Sequence, residues 1–366
     1  MELVVRKNDL LRELQFFQGI VERKNTIPIL ANVLIEADGN SVRLLATDLE
    51  VSLRSTCEAS VAKKGVLTLP AKKLFEIVKA LPDSEITIQQ DGTNVKVSAE
   101  RFESRMATLP REDFPTLPEP KGETVTIPRA ALREMIDKTQ FAITGEDTRY
   151  YLNGALLVIK DKQMTMVATD GHRLALVNVT RAEAAPVEKR AIIPKKTLTE
   201  LSRLLADGEG DVTYELGENH QFFDVGGRLL ISRINEGQFP AYERVIPKGN
   251  DKKIEFERDR LTSAVKRVAI LANDRSRAVK FEIGSGKVDI SSSSPVFGDA
   301  HEQVAVEYPG PALQICFNER YVSDFLGVVK TDNVELELKD EVSQAVMRPI
   351  NADGYDYTYV IMPMRL

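Results

Sequence analysis

Ala168-Thr169-Asp170 repeats, residue for residue, the tripeptide Ala46-Thr47-Asp48 that stands 122 positions earlier in the chain. That step is one third of the 366 residues. One further step reaches Ile290-Ser291-Ser292, at the end of a strand-like segment that begins at residue 287. A fixed period of this kind is typical of repeat architectures. The sequence therefore predicts three copies of one structural unit.

Each copy carries two helical patterns at matching positions. The first begins seven residues after an apolar strand residue, and the residues at +4 and +7 continue one helix face. Its leading residues are Leu10, Leu132 and Leu261. The second follows a short apolar strand in each copy and begins at Pro70, Pro194 and Asn318. Elsewhere apolar and polar residues alternate before turn residues, which indicates strands. Two helices and about eight strands per copy predict an α+β fold, with the strands in two sheets, and argue against a Rossmann-type sheet.

Proline-rich segments separate the copies. The stretches 115–120 and 247–250 have the composition of linkers between folded regions. We therefore predict three domains, at residues 1–120, 121–250 and 251–366.

Composition narrows the class of protein. No apolar run approaches the ~20 residues of a membrane span, and the N-terminus lacks the pattern of a secretory signal. The two cysteines, Cys57 and Cys316, lie in strand-like contexts, which favours reduced thiols in a cytosolic protein; a disulfide or a metal pair is the alternative. The net charge of -6 argues against tight wrapping of DNA, but it allows a protein that is basic on one face only.

Motifs for catalysis are weak. His172 is the best candidate because Asp170 lies close to it, but neither a nucleophile nor a second base partner accompanies them. The stretch 284–287, Gly-Ser-Gly-Lys, resembles a phosphate loop, yet Val288 stands where that loop needs Ser or Thr, so a hairpin turn is favoured. We predict no catalytic residue, no metal site and no cofactor. A hydrolase built on Asp170 and His172, or a tandem-domain adhesion protein, remains the alternative.

Several longer motifs together resemble one family. They are Arg149-Tyr150-Tyr151-Leu152-Asn153-Gly154, Thr169-Asp170-Gly171-His172-Arg173-Leu174, Phe239-Pro240 with Arg244-Val245, and the C-terminal stretch 360–366, Val-Ile-Met-Pro-Met-Arg-Leu. Over its whole length, including the threefold repeat, the chain resembles the beta sliding clamps of bacterial DNA polymerase III. The motifs are long and ungapped, which makes the resemblance specific.

The resemblance implies the DNA clamp fold and its function. Two chains of three domains would join head to tail into a six-domain ring with helices lining the hole. Such a homodimer is a non-catalytic processivity factor that encircles duplex DNA whatever its sequence. It would tether the replicative polymerase, the clamp loader, other polymerases and repair proteins through a Gln/Leu/Phe-type motif. The implied location is the cytoplasm, at the nucleoid, without a membrane partner.

Basic residues in or beside the predicted helices are the candidates for contact with DNA. A modest basic lining would hold DNA and still slide, because each neutralised phosphate adds affinity. The residues singled out for DNA binding are Lys24, Lys72, Arg149, Tyr150, Tyr151, Lys195 and Lys196. Further candidates for the lining of the hole are Lys73, Arg133, Lys138, Arg203, Lys266, Arg267 and Arg320. The alternatives are solvated helix faces and, for 149–151, packing at a domain edge.

A groove for partner peptides is the second implied site. Its candidates are Leu152, Thr169, Gly171, His172, Arg173, Leu174, Pro240, Arg244, Val245, Tyr321, Val342, Val360, Met362, Pro363, Met364 and Arg365. These residues could instead only join two domains. We expect one groove per chain, because the first copy has Leu49-Glu50 and no Gly-His-Arg, and in the third copy Ser291–Ser294 replaces the Thr-Asp signature.

The implied dimer joins the first domain of one chain to the third domain of the other. The strand at 103–106 would pair with the strand at 301–306 of the partner. The contact residues that we predict are Lys73, Arg101, Met106, Ile270, Leu271 and Glu302.

Overall fold

Six α-helices lie where the repeat predicts them. The computed structural model describes residues 1–21, 26–145 and 148–365. The helices within that part are α1 (Lys7–Phe17), α2 (Ala71–Ala80), α3 (Arg129–Thr139), α4 (Lys195–Leu205), α5 (Arg258–Ala269) and α6 (Glu319–Val328). Each predicted copy therefore contains two helices, as expected.

The described residues also form 25 strands. The first copy contains β1 (Glu2–Arg6), β2 (Asn32–Asp38), β3 (Ser41–Thr47), β4 (Val51–Glu58), β5 (Ser60–Lys63), β6 (Gly65–Pro70), β7 (Glu85–Asp91), β8 (Asn94–Ala99) and β9 (Phe102–Ala107). The second contains β10 (Thr124–Pro128), β11 (Gly154–Lys160), β12 (Gln163–Thr169), β13 (Arg173–Thr180), β14 (Lys189–Pro194), β15 (Asp211–Leu216), β16 (His220–Val225) and β17 (Arg228–Arg233). The third contains β18 (Lys252–Glu257), β19 (Ala278–Gly284), β20 (Lys287–Ser294), β21 (Gly298–Ala305), β22 (Leu313–Asn318), β23 (Asn333–Leu338), β24 (Ala345–Pro349) and β25 (Asp356–Ile361).

The chain divides into two compact units. Unit 1 comprises residues 1–133 and 196–234, and unit 2 comprises 134–195 and 235–366. Unit 1 holds a five-stranded sheet in the order β5-β1-β7-β8-β9 and an eight-stranded sheet in the order β10-β15-β16-β17-β4-β3-β2-β6. Unit 2 holds an eight-stranded sheet, β14-β11-β12-β13-β25-β24-β23-β18, and a four-stranded sheet, β21-β20-β19-β22.

Each eight-stranded sheet takes four strands from one predicted copy and four from the next. In unit 1, β17 pairs antiparallel with β4 through Leu229↔Arg54 to Ser232↔Val51. In unit 2, β13 pairs antiparallel with β25 through Arg173↔Ile361 to Asn178↔Asp356. The compact units therefore do not coincide with the predicted domains, and the boundaries at 120 and 250 stay a prediction.

The apolar helix faces are buried as their spacing predicts. In α1, Leu10, Leu14 and Phe17 are each at most 1% exposed, and the face of α5 that includes Leu261 and Val265 is buried in the same way. Burying each such side chain contributes about 1.5–3 kcal/mol relative to an exposed one. Burial of the repeated positions explains why one pattern gives the same helix in each copy.

Several smaller predictions can be compared with the structure. The stretch 284–287 forms the β19–β20 hairpin, with Gly286 at φ 78°. Both cysteines are free; Cys316 is buried, Cys57 is half-buried, and burial together with Glu13 raises the pKa of Cys57 to about 12. In the described part of the chain, no helix is long and apolar enough to cross a membrane. The same residues contain no group of three or more His, Cys, Asp or Glu that could hold a metal ion.

Candidate functional site

The turn between β12 and β13 is the centre of the site. The Gly171 N–H donates to Thr169 Oγ1 at 3.1 Å, and Asp170 Oδ1 accepts from the N–H groups of His172 and Arg173, both at 3.0 Å. Short polar side chains that accept such bonds fix a tight turn. Gly171 has φ 87°, the left-handed region that glycine adopts without steric cost. In this signature, Thr169 and Asp170 accept the hydrogen bonds that fix the turn, and Gly171 adopts its backbone conformation without strain.

The C-terminal strand lies directly beside the turn. β25 continues the sheet next to β13, and beyond its end the Met362 N–H donates to the His172 carbonyl at 2.9 Å. Two residues later, the Met364 N–H donates to the Cys316 carbonyl at 2.7 Å. Backbone hydrogen bonds therefore hold the end of the chain against the turn.

A groove of about 300 Å³ opens between these segments in unit 2. Two short 3₁₀ turns, Tyr150–Leu152 and Tyr242–Arg244, complete its walls. Its lining consists of Arg149, Tyr151, Leu152, Thr169, Gly171, His172, Arg173, Leu174, Pro240, Tyr242, Val245, Gln344, Val360 and Met362. Leu174 and Val360 belong to the buried cluster below it, in which Phe239 also packs. The groove therefore has a fixed apolar floor and a rim with polar groups.

Most of the predicted peptide-binding residues line this groove. They are Leu152, Thr169, Gly171, His172, Arg173, Leu174, Pro240, Val245, Val360 and Met362. The other candidates, which do not line it, are Arg244, Tyr321, Val342, Pro363, Met364 and Arg365. Val342 lies in the turn that Asp340 caps and is 68% exposed. The binding role of all these residues stays a prediction.

Arg173 is a supporting residue rather than an open contact. Its side chain is 7% exposed, and its guanidinium donates to Asp170, to Asp324 and to the Phe141 carbonyl. It also lies over the Tyr321 ring, 4.4 Å from the centroid. Burial raises the pKa of Tyr321, and the Asp170 carboxylate adds to that shift, so its hydroxyl is neutral near pH 7. This network fixes the turn, and it engages the Asp170 carboxylate that a catalytic dyad with His172 would need.

The structure adds residues to the groove that the sequence did not assign to it. Arg149 and Tyr151, which we predicted to contact DNA, line the groove, while Tyr150 is 71% exposed; their contact with DNA stays a prediction. Tyr242 and Gln344 were not predicted at all. The position of Tyr242 two residues after the recognised Phe-Pro pair was an available signal for it; no sequence signal marked Gln344.

The predicted DNA-contacting lysines have varied surroundings. Lys24 lies outside the described residues. Lys72 is half-buried, Lys195 Nζ donates to the Ile143 carbonyl at 3.3 Å, and Lys196 forms an ion pair with Asp48.

Lys138 differs from the prediction that it lines a hole. Its side chain is 1% exposed, because its ammonium group pairs with Glu134 at 2.7 Å and donates to the Val328 carbonyl at 3.0 Å. It also lies 4.3 Å from the centroid of the Tyr355 ring. Burial lowers the pKa of this amine, and the Glu134 carboxylate opposes that shift. The expectation that Lys138 faces DNA is therefore wrong.

Of the three apolar residues predicted for the dimer interface, Ile270 is the most exposed to solvent. It is 75% exposed on the end of α5, and Leu271 is half-buried. Met106 is buried within its own unit. The charged candidates include Arg101, which is exposed, and Lys73, which pairs with Glu76. Glu302, the last of them, is held by a neighbouring arginine of α5. The strands β9 and β21 that we expect to pair are both edge strands of their sheets.

Comparison with known proteins identifies the family. Models of the DNA polymerase III beta subunit match in chain order: the N-terminal domain at residues 1–118, the central domain at 126–241 and the C-terminal domain at 243–365. The beta sliding clamp of Pseudomonas putida is 40% identical over 373 residues, and that of Escherichia coli K12 is 35% identical over 369 residues. Both matches cover 100% of each chain.

Solved structures have the same fold over the full length. A sliding clamp from Pseudomonas aeruginosa bound to griselimycin superposes with a TM-score of 0.95 at 39% identity. A DNA polymerase sliding clamp from Caulobacter crescentus superposes with a TM-score of 0.94 at 34% identity. Both comparisons cover 100% of each chain. The chain thus has the three-domain clamp fold, and it belongs to the DNA polymerase III beta subunit family of sliding clamps.

Proposed function

We propose that the apolar groove of unit 2 is the site where this clamp holds the peptide motifs of its partners. The observation that carries the proposal is a groove of about 300 Å³ whose apolar floor adjoins fixed polar groups. Leu and Phe side chains of a bound motif would fill the apolar space, while the amide of a Gln needs a hydrogen-bond partner at the rim. His172 and Gln344 stand there with the backbone of the turn. Met362 gives the wall an adaptable side chain, which suits several partners that share one motif.

As a sliding clamp, the protein has no catalytic role. It encircles duplex DNA and keeps the replicative polymerase and other replication and repair proteins attached to it. We assign contact with the DNA backbone to Lys72, Lys195 and Lys196 of the helices. The location that follows for this activity is the cytoplasm, at the nucleoid.

Ring closure would require a dimer. We assign its interface to the edge strands β9 of one chain and β21 of the other, with Ile270 packed beside them. Unpaired strand edges are templates for pairing with another chain. Two such head-to-tail contacts, related by a two-fold axis, close a ring instead of extending a fibre.

Replacing Val245 and Met362 together by alanine should weaken binding of a peptide that carries Gln, Leu and Phe by about tenfold to a hundredfold. Both side chains are exposed on the groove wall, and truncating central contacts of an interface costs about 1–3 kcal/mol. Fluorescence anisotropy of the labelled peptide measures the affinity. The matched control is Val187→Ala, an exposed valine of the same unit that neither lines the groove nor belongs to the predicted peptide-binding residues.

The control variant should bind the peptide like the unmodified protein. Equal losses in both variants, or full affinity in the double variant, would place the peptide elsewhere. Sedimentation of each variant verifies that the oligomeric state is unchanged.

Replacing Ile270 and Leu271 by alanine should shift the protein from dimer to monomer at micromolar concentration. Ile270 is 75% exposed, and burying apolar area contributes about 25 cal/mol per Å² to association. Analytical ultracentrifugation measures the distribution. The control is Val187→Ala, an exposed valine of unit 2, which should leave the distribution of monomer and dimer unchanged. A dimer that persists in the Ile270→Ala/Leu271→Ala variant would refute the interface.

A further inference from the structure

Unit 1 contains a second groove, of about 340 Å³, in the first copy of the repeat. Its apolar lining comes from Leu49, Pro115, Leu117 and Ile231, and Glu50 and His220 stand among its polar residues. Because this copy lacks the Gly-His-Arg signature, the sequence predicted no peptide groove in it. A cavity nevertheless forms at this position.

The same turn builds both grooves. The Leu49 N–H donates to Thr47 Oγ1 at 2.9 Å, and Asp48 Oδ1 accepts from the N–H groups of Glu50 at 2.9 Å and Val51 at 2.6 Å. This is the hydrogen-bonding pattern of the turn between β12 and β13. Thr and Asp suffice for the turn, so it forms without the glycine and histidine that follow in the second copy.

A strand of the next copy closes the second groove in the same manner. The Arg233 N–H donates to the Glu50 carbonyl at 2.9 Å, as the backbone at the end of β25 does in unit 2. Ile231 of β17 then stands in the groove as Val360 does in the other. The repeat has therefore produced two grooves of one design with different side chains.

Leu49 is exposed and strained at the second groove. Its φ is 78°, a conformation that costs a leucine about 1–2 kcal/mol and that Gly171 adopts freely in the second copy. The side chain is nevertheless 47% exposed, so it gains little burial in return. Residues held in such sparsely populated backbone conformations cluster at functional sites.

The second rim differs from the first in its charged groups. Glu50 occupies the position that His172 has in the other turn, and its ion pair with Arg233 is more than half exposed on both sides. Such a pair contributes little, so the carboxylate can accept another cation. Burial, with the Arg233 charge, lowers the pKa of His220, which is therefore neutral near pH 7 and adds no positive charge.

We propose that the groove of unit 1 is a second docking site, whose occupant is an extended segment of a partner protein with two leucine-like side chains on one face followed by a lysine or arginine. Alternate side chains of an extended segment point to the same face. The two apolar side chains would cover Leu49 and Ile231, and the cation would meet Glu50. This site would thus select basic segments that the groove with His172 and Arg149 at its rim does not favour.

The test uses the full chain and a fluorescein-labelled Leu-Ser-Leu-Ser-Lys peptide, whose lysine shares a face with the leucines, with Leu-Ser-Leu-Ser-Glu as the matched acidic probe. Leu49→Gly removes the apolar contact and gives the turn the residue that its backbone conformation favours. We expect the variant to remain folded, with an unchanged or higher Tm, and to bind the lysine peptide about tenfold more weakly. Glu50→Gln should abolish the preference for the lysine peptide over the glutamate peptide.

The double variant of the first groove, Val245→Ala with Met362→Ala, separates the two sites. It should bind the lysine peptide as the unmodified chain does, whereas Leu49→Gly should leave binding of the Gln/Leu/Phe peptide unchanged. Loss of the lysine peptide in the double variant would show that this probe occupies the first groove. That result, full affinity in Leu49→Gly, or no binding up to millimolar peptide would overturn the proposal.

Discussion

A single cut in a circular plasmid should release all of the clamp that the intact circle retains in high salt. Ordinary protein–DNA affinity depends on phosphate contacts and falls steeply as salt rises. At about 1 M salt the screening length is only about 3 Å, so the Lys72, Lys195 and Lys196 contacts would contribute almost nothing. A closed ring needs no such contacts, because the DNA passes through it and has no end.

The measurement is gel filtration of labelled protein that the clamp loader has placed on circular DNA, before and after cleavage by a restriction enzyme. A nicked circle is the control, because its duplex is relaxed but stays circular through the uncut strand. It should retain the protein. Salt-induced loss from the uncut circle would instead identify electrostatic binding. Retention on the linear form would exclude sliding.

Replacing Lys138 by alanine should lower the free energy of unfolding by about 2–4 kcal/mol. The change removes a buried ion pair with Glu134, leaves the Val328 carbonyl without its donor and opens space beside the Tyr355 ring. Removing one partner of a buried pair costs about 3–5 kcal/mol. The cost that we expect for Lys138→Ala lies below that range, because Glu134 is partly exposed and keeps its second ion pair with Lys330.

Thermal unfolding provides the measurement and Lys330→Ala the matched control. Lys330 binds the same carboxylate, but its side chain is 72% exposed, so its loss should cost less than about 1 kcal/mol. For cooperative unfolding of unit 2, which has about 200 residues, the expected decrease in Tm is about 5–10 °C for Lys138→Ala and a few degrees or less for the control. Equal decreases would mean that the burial of Lys138 has no energetic consequence.

The contrast between α3 and the groove turn explains what sequence could predict. The positions of the helices followed from spacing, because an apolar face that recurs at +4 and +7 has to be buried wherever it occurs. The same spacing does not say which charged residue beside that face turns inward. Lys138 is buried because Glu134, a carbonyl and two tyrosines surround it, and three of these partners lie about 190 residues or more away in sequence.

The sequence predicted those groove residues that belong to one continuous segment of the chain. The β12–β13 turn depends on Thr169 and Asp170, and its residues were identified from the motif. Gln344 lies on a distant segment with no recurring phrase, so only the folded chain brings it to the rim. In the first copy, Thr47 and Asp48 build the same turn on their own, so the Gly-His-Arg signature is not required for the turn.

Main-chain hydrogen bonds join successive copies of the repeat along a seam, which in unit 2 lies between β13 and β25. Six residues of β13 and six of β25 face each other in register, and every bond along that line joins an N–H to a carbonyl. Such bonds are indifferent to which side chain a position carries. Relatives that share about a third of their residues with this chain can therefore keep its geometry, as the TM-score of 0.94 at 34% identity reflects. In hybrid clamps assembled from the repeats of different bacteria, the strands of adjacent repeats should therefore still pair along this seam. Incompatibilities should arise in the side-chain layers on either side of the sheet.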